Sequence, residues 1–182
     1  MNDTNRKWYQ AKDIRTLLGV TSGQLFHWGQ TWGLIQPEIK AKGRAFKDRY
    51  SFRNLLDIAL VKELNALGFE PSKIGEIIAP FEHGKGNVWD YFKDGRNDSK
   101  DYDEDLDKWI TFPGYDKEGF LLLIERRKDG EYSIGHPGSV KDILGYLGHI
   151  MKEQPDEAPR SNIIINLSRI IQDLEERTGE KL

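Results

Sequence analysis

The sequence predicts an α+β chain in two modules: short helices with a small β hairpin, followed by a small α+β domain. Three observations carry this. Residues 10–31 hold two helical patterns that meet at a sharply marked corner. Residues 39–50 form a short, cationic, turn-containing stretch that reads as a hairpin. Further on, "GFLLLIERRKDGEYSIG", residues 119–135, reads as a second hairpin with a helical pattern after it.

The totals bound what these elements can do. At 182 residues, 37% hydrophobic and 11% aromatic, the chain can bury a core, which argues against wholesale disorder. No apolar run reaches the eighteen or so residues that a membrane span needs. "MNDTNRKWYQ" contains no apolar secretory stretch, so the chain is expected in the cytoplasm. The absence of cysteine removes disulfides, thiolate metal sites and thiol redox sensing. The net charge of −3 conceals an asymmetry: residues 1–80 carry 12 Lys/Arg against 8 Asp/Glu, and residues 81–182 carry 15 against 22. A basic front and an acidic back suggest modules with different partners. The expected division is residues 1–80, an acidic linker at 81–108, and a second domain at 109–182.

The first helix is expected from about Gln10 to Leu18, with Ala11, Ile14, Leu17 and Leu18 on one stripe. Gly19 follows where a left-handed residue ends a helix. The next start carries three signals. Thr21 and Gln24 have capping-box spacing, and Val20 and Leu25 have the spacing of a hydrophobic staple. The cap alone is worth about 1 kcal/mol. The second helix is expected over residues 22–31, with Leu25, Trp28 and Trp32 packed inward. Ser22, Gly23, Phe26, His27 and Gln30 are left outside. This outer face has no full charge, but it has hydroxyl, amide, imidazole and aromatic groups that can approach base edges.

Gly33 and Pro37 break the helix. Ile39 and Phe46 then flank "KAKGR" as two short strands around a turn. Lys40, Lys42, Arg44, Lys47, Arg49 and Arg53 follow closely, opposed only by Asp48. A cationic hairpin after a tightly turned helix pair is the electrostatic footprint of a nucleic-acid binder. Ser51 is expected to cap a third helix with Leu55, Ile58, Ala59, Leu64 and Leu67 toward the core. Pro71 opens a short fourth helix, which Pro80 is expected to end.

The pieces "LLGVT", "WGLIQP", "RYS" and "LGFEPSKI" occur here in that order. Through them, about residues 8–79 resemble the MerR-type winged helix-turn-helix DNA-binding domain. The resemblance implies a transcriptional regulator acting as a homodimer on double-stranded DNA with a two-fold operator. Its second helix, residues 22–31, would enter the major groove, and the basic wing, residues 39–50, would grip the phosphate backbone. The candidate DNA-binding residues are Thr21, Ser22, Gln24, Phe26 and His27 on the corner and helix. Lys40, Lys42, Arg44, Lys47, Arg49 and Arg53 are the candidate phosphate contacts. Where the family commonly places Arg and Tyr, this chain has Phe26 and His27. Related domains also occur in phage excisionases and small terminase subunits, and a protein-interaction module is a third alternative.

In the second module, "DYDEDLD" spaces its carboxylates like a calcium loop. However, Leu106 and Phe112 stand where such a loop needs Gly and Glu, so a solvated acidic loop is expected. A short helix is expected near residues 87–92 and a strand in "WITFPG". Phe120 to Glu125 and Glu131 to Ile134 are expected to pair across an Asp129-Gly130 turn. "SIGHPGS" reads as a Gly-Pro turn. A helix follows with Val140, Ile143, Leu144, Leu147 and Ile150 apolar. Residues 163–165 read either as a strand before a closing helix or as part of one continuous helix. The expected role of this module is to sense a small-molecule effector or to mediate assembly. The four histidines fall on different elements without metal-pair spacing, and no catalytic constellation, cofactor motif or metal site is recognised.

Overall fold

The computed structural model describes residues 7–43, 47–82, 120–126, 130, 132–153, 159 and 161–181. The chain forms two units, Met1–Glu82 with Ile170–Leu182, and His83–Arg169. The expected domain 109–182 therefore differs from the observed division, because its last residues cluster with the first unit.

The first unit begins with α1, Ala11–Leu18, whose start is fixed by the Gln10 N–H donating to Asp13 Oδ2 at 2.8 Å. Ile14 and Leu18 are buried, while Ala11 is exposed and Leu17 half-buried, so the apolar stripe is narrower than its spacing suggested. Gly19 ends α1 at φ +66°, and its N–H returns to the Arg15 carbonyl at 3.0 Å. The next helix, α2, covers Ser22–Phe26 and widens into a π turn over His27–Thr31. There the Trp32 N–H bonds the His27 carbonyl at 2.8 Å, five residues back. This wide turn explains one difference from expectation. Leu25, Trp28 and Trp32 would share a stripe on a regular helix, but the extra residue lets Trp32 lag behind. Leu25 and Trp28 are buried, and Trp32 is exposed.

α3, Phe52–Ala66, is the central helix of this unit. Leu55, Ile58, Ala59 and Leu64 are buried as the periodicity requires, but so are Leu56, Leu60 and Val61. Leu67 is instead 53% exposed. It lies past the last turn, where Gly68 at φ +85° redirects the chain. The Phe69 N–H then closes on the Leu64 carbonyl at 3.2 Å, and Phe69 takes the buried place. α4 runs Pro71–Glu82, past the Pro80 that was expected to stop it. Proline forfeits one helical bond, to the residue four back, and this near the helix end the loss does not terminate it.

The last thirteen residues of the chain belong to this unit. Lys7 Nζ donates to the Thr178 carbonyl at 2.9 Å, and the Tyr9 hydroxyl donates to Glu180 Oε2 at 2.7 Å. The Arg177 guanidinium donates to the Leu17 carbonyl near the end of α1, and Lys62 Nζ from α3 donates to the Leu18 carbonyl at 2.9 Å. Cations at a helix C-terminus satisfy its orphan carbonyls and oppose its dipole.

In the second unit, β1 (Phe120–Arg126), β2 (Tyr132–Ser139) and β3 (Ser161–Asn166) form a sheet of order β2-β1-β3, antiparallel throughout. β2 is longer than the sequence suggested. "SIGHPGS" continues the strand rather than turning, with Pro137 opposite Leu122 and a register shift between Leu122 and Ile124. As an edge strand, β2 tolerates a residue that cannot donate. Gly130, at φ +90°, suits the expected turn, although Asp129 lies outside the described residues. So do the expected "WITFPG" strand, the 87–92 helix, the acidic loop and nearly all of the 81–108 linker. α5, Val140–Glu153, buries Ile143 but leaves Leu144 61% exposed, because Leu144 sits a further 100° or so around the helix. Residues 161–166 are a strand, which decides between the two sequence readings, and α6, Leu167–Thr178, follows with no loop. On β1, Glu125 is buried and its Oε2 accepts a bond from the Tyr146 hydroxyl at 3.1 Å.

Candidate nucleic-acid interface

The corner between α1 and α2 is built as its residues require. Thr21 Oγ1 accepts from the Gln24 N–H at 3.1 Å, and Gln24 Oε1 accepts from the Thr21 N–H at 2.9 Å. Each satisfies a donor that the helix start would leave open. The Gln24 carbonyl oxygen is thereby occupied, which leaves its amide NH2 as the end that can address another group.

Beyond the cap, α2 divides sharply. Leu25 and Trp28 are buried, whereas Ser22, Phe26, His27, Gln30 and Thr31 are exposed. Phe26 and His27 meet edge to face with ring centroids 5.8 Å apart, and the Trp32 ring lies 6.0 Å from His27. His27 Nδ1 and Thr31 Oγ1 are 3.3 Å apart, linking the imidazole to the π turn. Three exposed rings thus form a row on a segment without formal charge; residues 16–37 contain no Asp, Glu, Lys or Arg.

Only part of the cationic segment falls among the described residues, since residues 44–46 lie outside them. Among the described residues it is held by one antiparallel pair, Ile39 N–H to the Arg49 carbonyl at 3.1 Å and Arg49 N–H to the Ile39 carbonyl at 2.9 Å. Phe46, the expected return strand, lies outside the described residues, and the partner of Ile39 is Arg49. Asp48, the lone acid here, turns inward so that Oδ1 accepts from the Ala41 N–H at 2.8 Å. The neighbouring residue Tyr50 pairs with Tyr9 in both directions, at 2.8 and 2.9 Å, which ties this segment to the start of α1.

A groove of about 580 Å³ opens here, lined by Gln10, Ile39, Lys40, Ala41, Lys42, Lys47 and Arg49. Four of its seven lining residues are cations, and none of the four has an ion-pair partner among the described residues. Such a groove attracts an extended polyanion. Arg53 sits half-buried in the first turn of α3, apart from this lining. Arg44 lies outside the described residues. The structure therefore gathers Lys40, Lys42, Lys47 and Arg49 in one groove, and Thr21, Ser22, Gln24, Phe26 and His27 on one corner and helix.

One residue that positions this region escaped sequence reasoning. Asn54 Oδ1 accepts from the Ser51 N–H at 3.1 Å and the Glu38 N–H at 3.2 Å, while Nδ2 donates to the Gln36 carbonyl at 3.2 Å. It anchors the chain just before the cationic segment to the start of α3. The only available signal was its place three residues after Ser51, where a capping partner belongs.

Residues 9–79 match the family model of MerR HTH family regulatory proteins. The N-terminal domain is a MerR-type helix-turn-helix domain, and regulators of this family bind DNA. No curated protein matches the chain. Among the described residues no helix is long and apolar enough to cross a membrane, and no cluster of side chains is suited to hold a metal ion.

Proposed function

We propose that this protein is a sequence-specific transcriptional regulator. Residues 22–31 lie in the major groove of double-stranded DNA, and residues 39–50 act as a wing on the phosphate backbone. The observation that carries the reading is the pairing of two surfaces in one unit. One is a charge-free, exposed helical face presenting Ser22, Phe26 and His27. The other is a groove lined by Lys40, Lys42, Lys47 and Arg49. Base edges are read by groups that lose little on leaving water, and phosphates are held by cations that set register without reading sequence. Thr21 and Gln24 fix the helix entry, and Arg44 and Arg53 extend the cationic set.

The protein works in the cytoplasm as a homodimer on a two-fold site, with the second unit sensing a small molecule or supporting assembly. The test is selection of bound duplexes from a random pool by the full chain. A recurrent motif with two-fold symmetry is expected. A pool that stays random after repeated rounds contradicts sequence-specific recognition, and a motif without symmetry contradicts the dimer.

A further inference from the structure

We infer, on the basis of the DNA reading just given, that Phe26 selects thymine by packing its ring against the 5-methyl group in the major groove. Phe26 is 59% exposed at the end of the α portion of α2, in a row with His27 and Trp32. Scattered exposed apolar residues need no explanation, but a row of three rings on one face does. The edge-to-face contact with His27 holds the Phe26 ring on the outer side of the helix instead of letting it fold back onto the core.

The surroundings narrow the partner. Residues 16–37 contain no Asp, Glu, Lys or Arg, so α2 itself supplies no Lys or Arg for the guanine acceptors and no carboxylate for the cytosine amine. The cations that follow at Lys40, Lys42, Lys47 and Arg49 line a groove of their own, which serves to bring the unit onto a polyanion. On the major-groove edge of the four base pairs, the apolar feature is the thymine methyl. A phenyl ring therefore discriminates by that group, in contrast to the hydrogen-bond readout open to Ser22 and the Gln24 amide.

The experiment takes the duplex selected by the full chain and replaces each thymine in turn by deoxyuridine, which deletes only the methyl. Affinities are measured by anisotropy for the wild type, Phe26→Ala and Phe26→Leu. One thymine per half-site should cost the wild type about fourfold when replaced, the worth of one buried methyl. Phe26→Ala should bind thymine and uracil duplexes equally at that position, and Phe26→Leu should retain part of the difference. Equal wild-type affinity for every uracil duplex overturns the inference while leaving DNA binding intact, as does a discrimination that survives Phe26→Ala. Failure of any duplex to bind in a salt-dependent way overturns the DNA reading and the inference together.

Discussion

Phe26 and Trp28 stand two residues apart on one short helical segment, yet Phe26 is 59% exposed and Trp28 is 1% exposed. Two large aromatic side chains with such different surroundings separate what the segment contributes to folding from what it presents to a partner. Trp28 fills the core of the unit, and Phe26 faces outward.

Substitution should reveal that separation. Trp28→Ala is expected to cost about 3–5 kcal/mol, enough to unfold much of the N-terminal unit. Phe26→Ala should change stability by no more than about 0.5 kcal/mol, as for other surface positions. Chemical denaturation of both variants checks this. Comparable losses would mean that Phe26 is part of the packing.

The corner that orients α2 depends on Thr21. Thr21→Ala removes the acceptor for the Gln24 N–H and leaves only the reciprocal bond, which the backbone N–H of residue 21 donates to Gln24 Oε1. A loss of about 1 kcal/mol is expected, with Thr21→Ser close to the wild type. For a domain of this size that corresponds to a fall in Tm of roughly 4–8 °C, readable by calorimetry. An unchanged Tm would show that the corner is held by other contacts.

Alkaline pH probes the contact between Tyr9 and the C-terminal segment. Burial, and then the bond to Glu180, push the Tyr9 hydroxyl above the ordinary tyrosine range; burial and then Asp48 act on Tyr50 in the same direction. Both raised values favour the neutral form in the folded chain. Their contribution is complete below the unfolded tyrosine pKa of about 10 and is lost as pH rises beyond it, because the unfolded chain ionises first. Denaturation midpoints should therefore fall progressively as pH rises above about 10, and Tyr9→Phe should make that fall shallower. An identical fall in the variant would mean that Tyr9 is not held neutral by folding.

Much of the first unit was legible because its signals are local. Gly19, Thr21, Gln24 and Ser51 act through backbone groups within a few residues, so spacing alone placed them. What spacing missed depends on distant partners or on departures from regular geometry. The π turn moved Trp32 outward, a shift that no 3.6-residue period contains. α3 buries more than one face because other elements surround it, so Leu56, Leu60 and Val61 were not separable from the predicted stripe. Asn54 and Lys62 matter through residues sixteen to forty-four positions away in sequence. The return of residues 170–182 to the first unit rests on contacts about 160 to 171 positions apart, such as Tyr9 with Glu180. For the candidate interface, residue types and order were readable. Sequence could not show which cations share a groove: Lys40, Lys42, Lys47 and Arg49 do, whereas Arg53 lies elsewhere.

The most direct test is the salt dependence of duplex binding by the full chain, compared with Lys42→Ala/Lys47→Ala. Each phosphate neutralised on duplex DNA contributes about 0.9 to the slope of log affinity against log salt. The wild type should bind more weakly as salt rises, and the double variant should lose up to about two units of slope with its Tm unchanged. Affinity indifferent to salt, or a slope that the double variant leaves intact, would contradict the assignment of this groove to the DNA backbone.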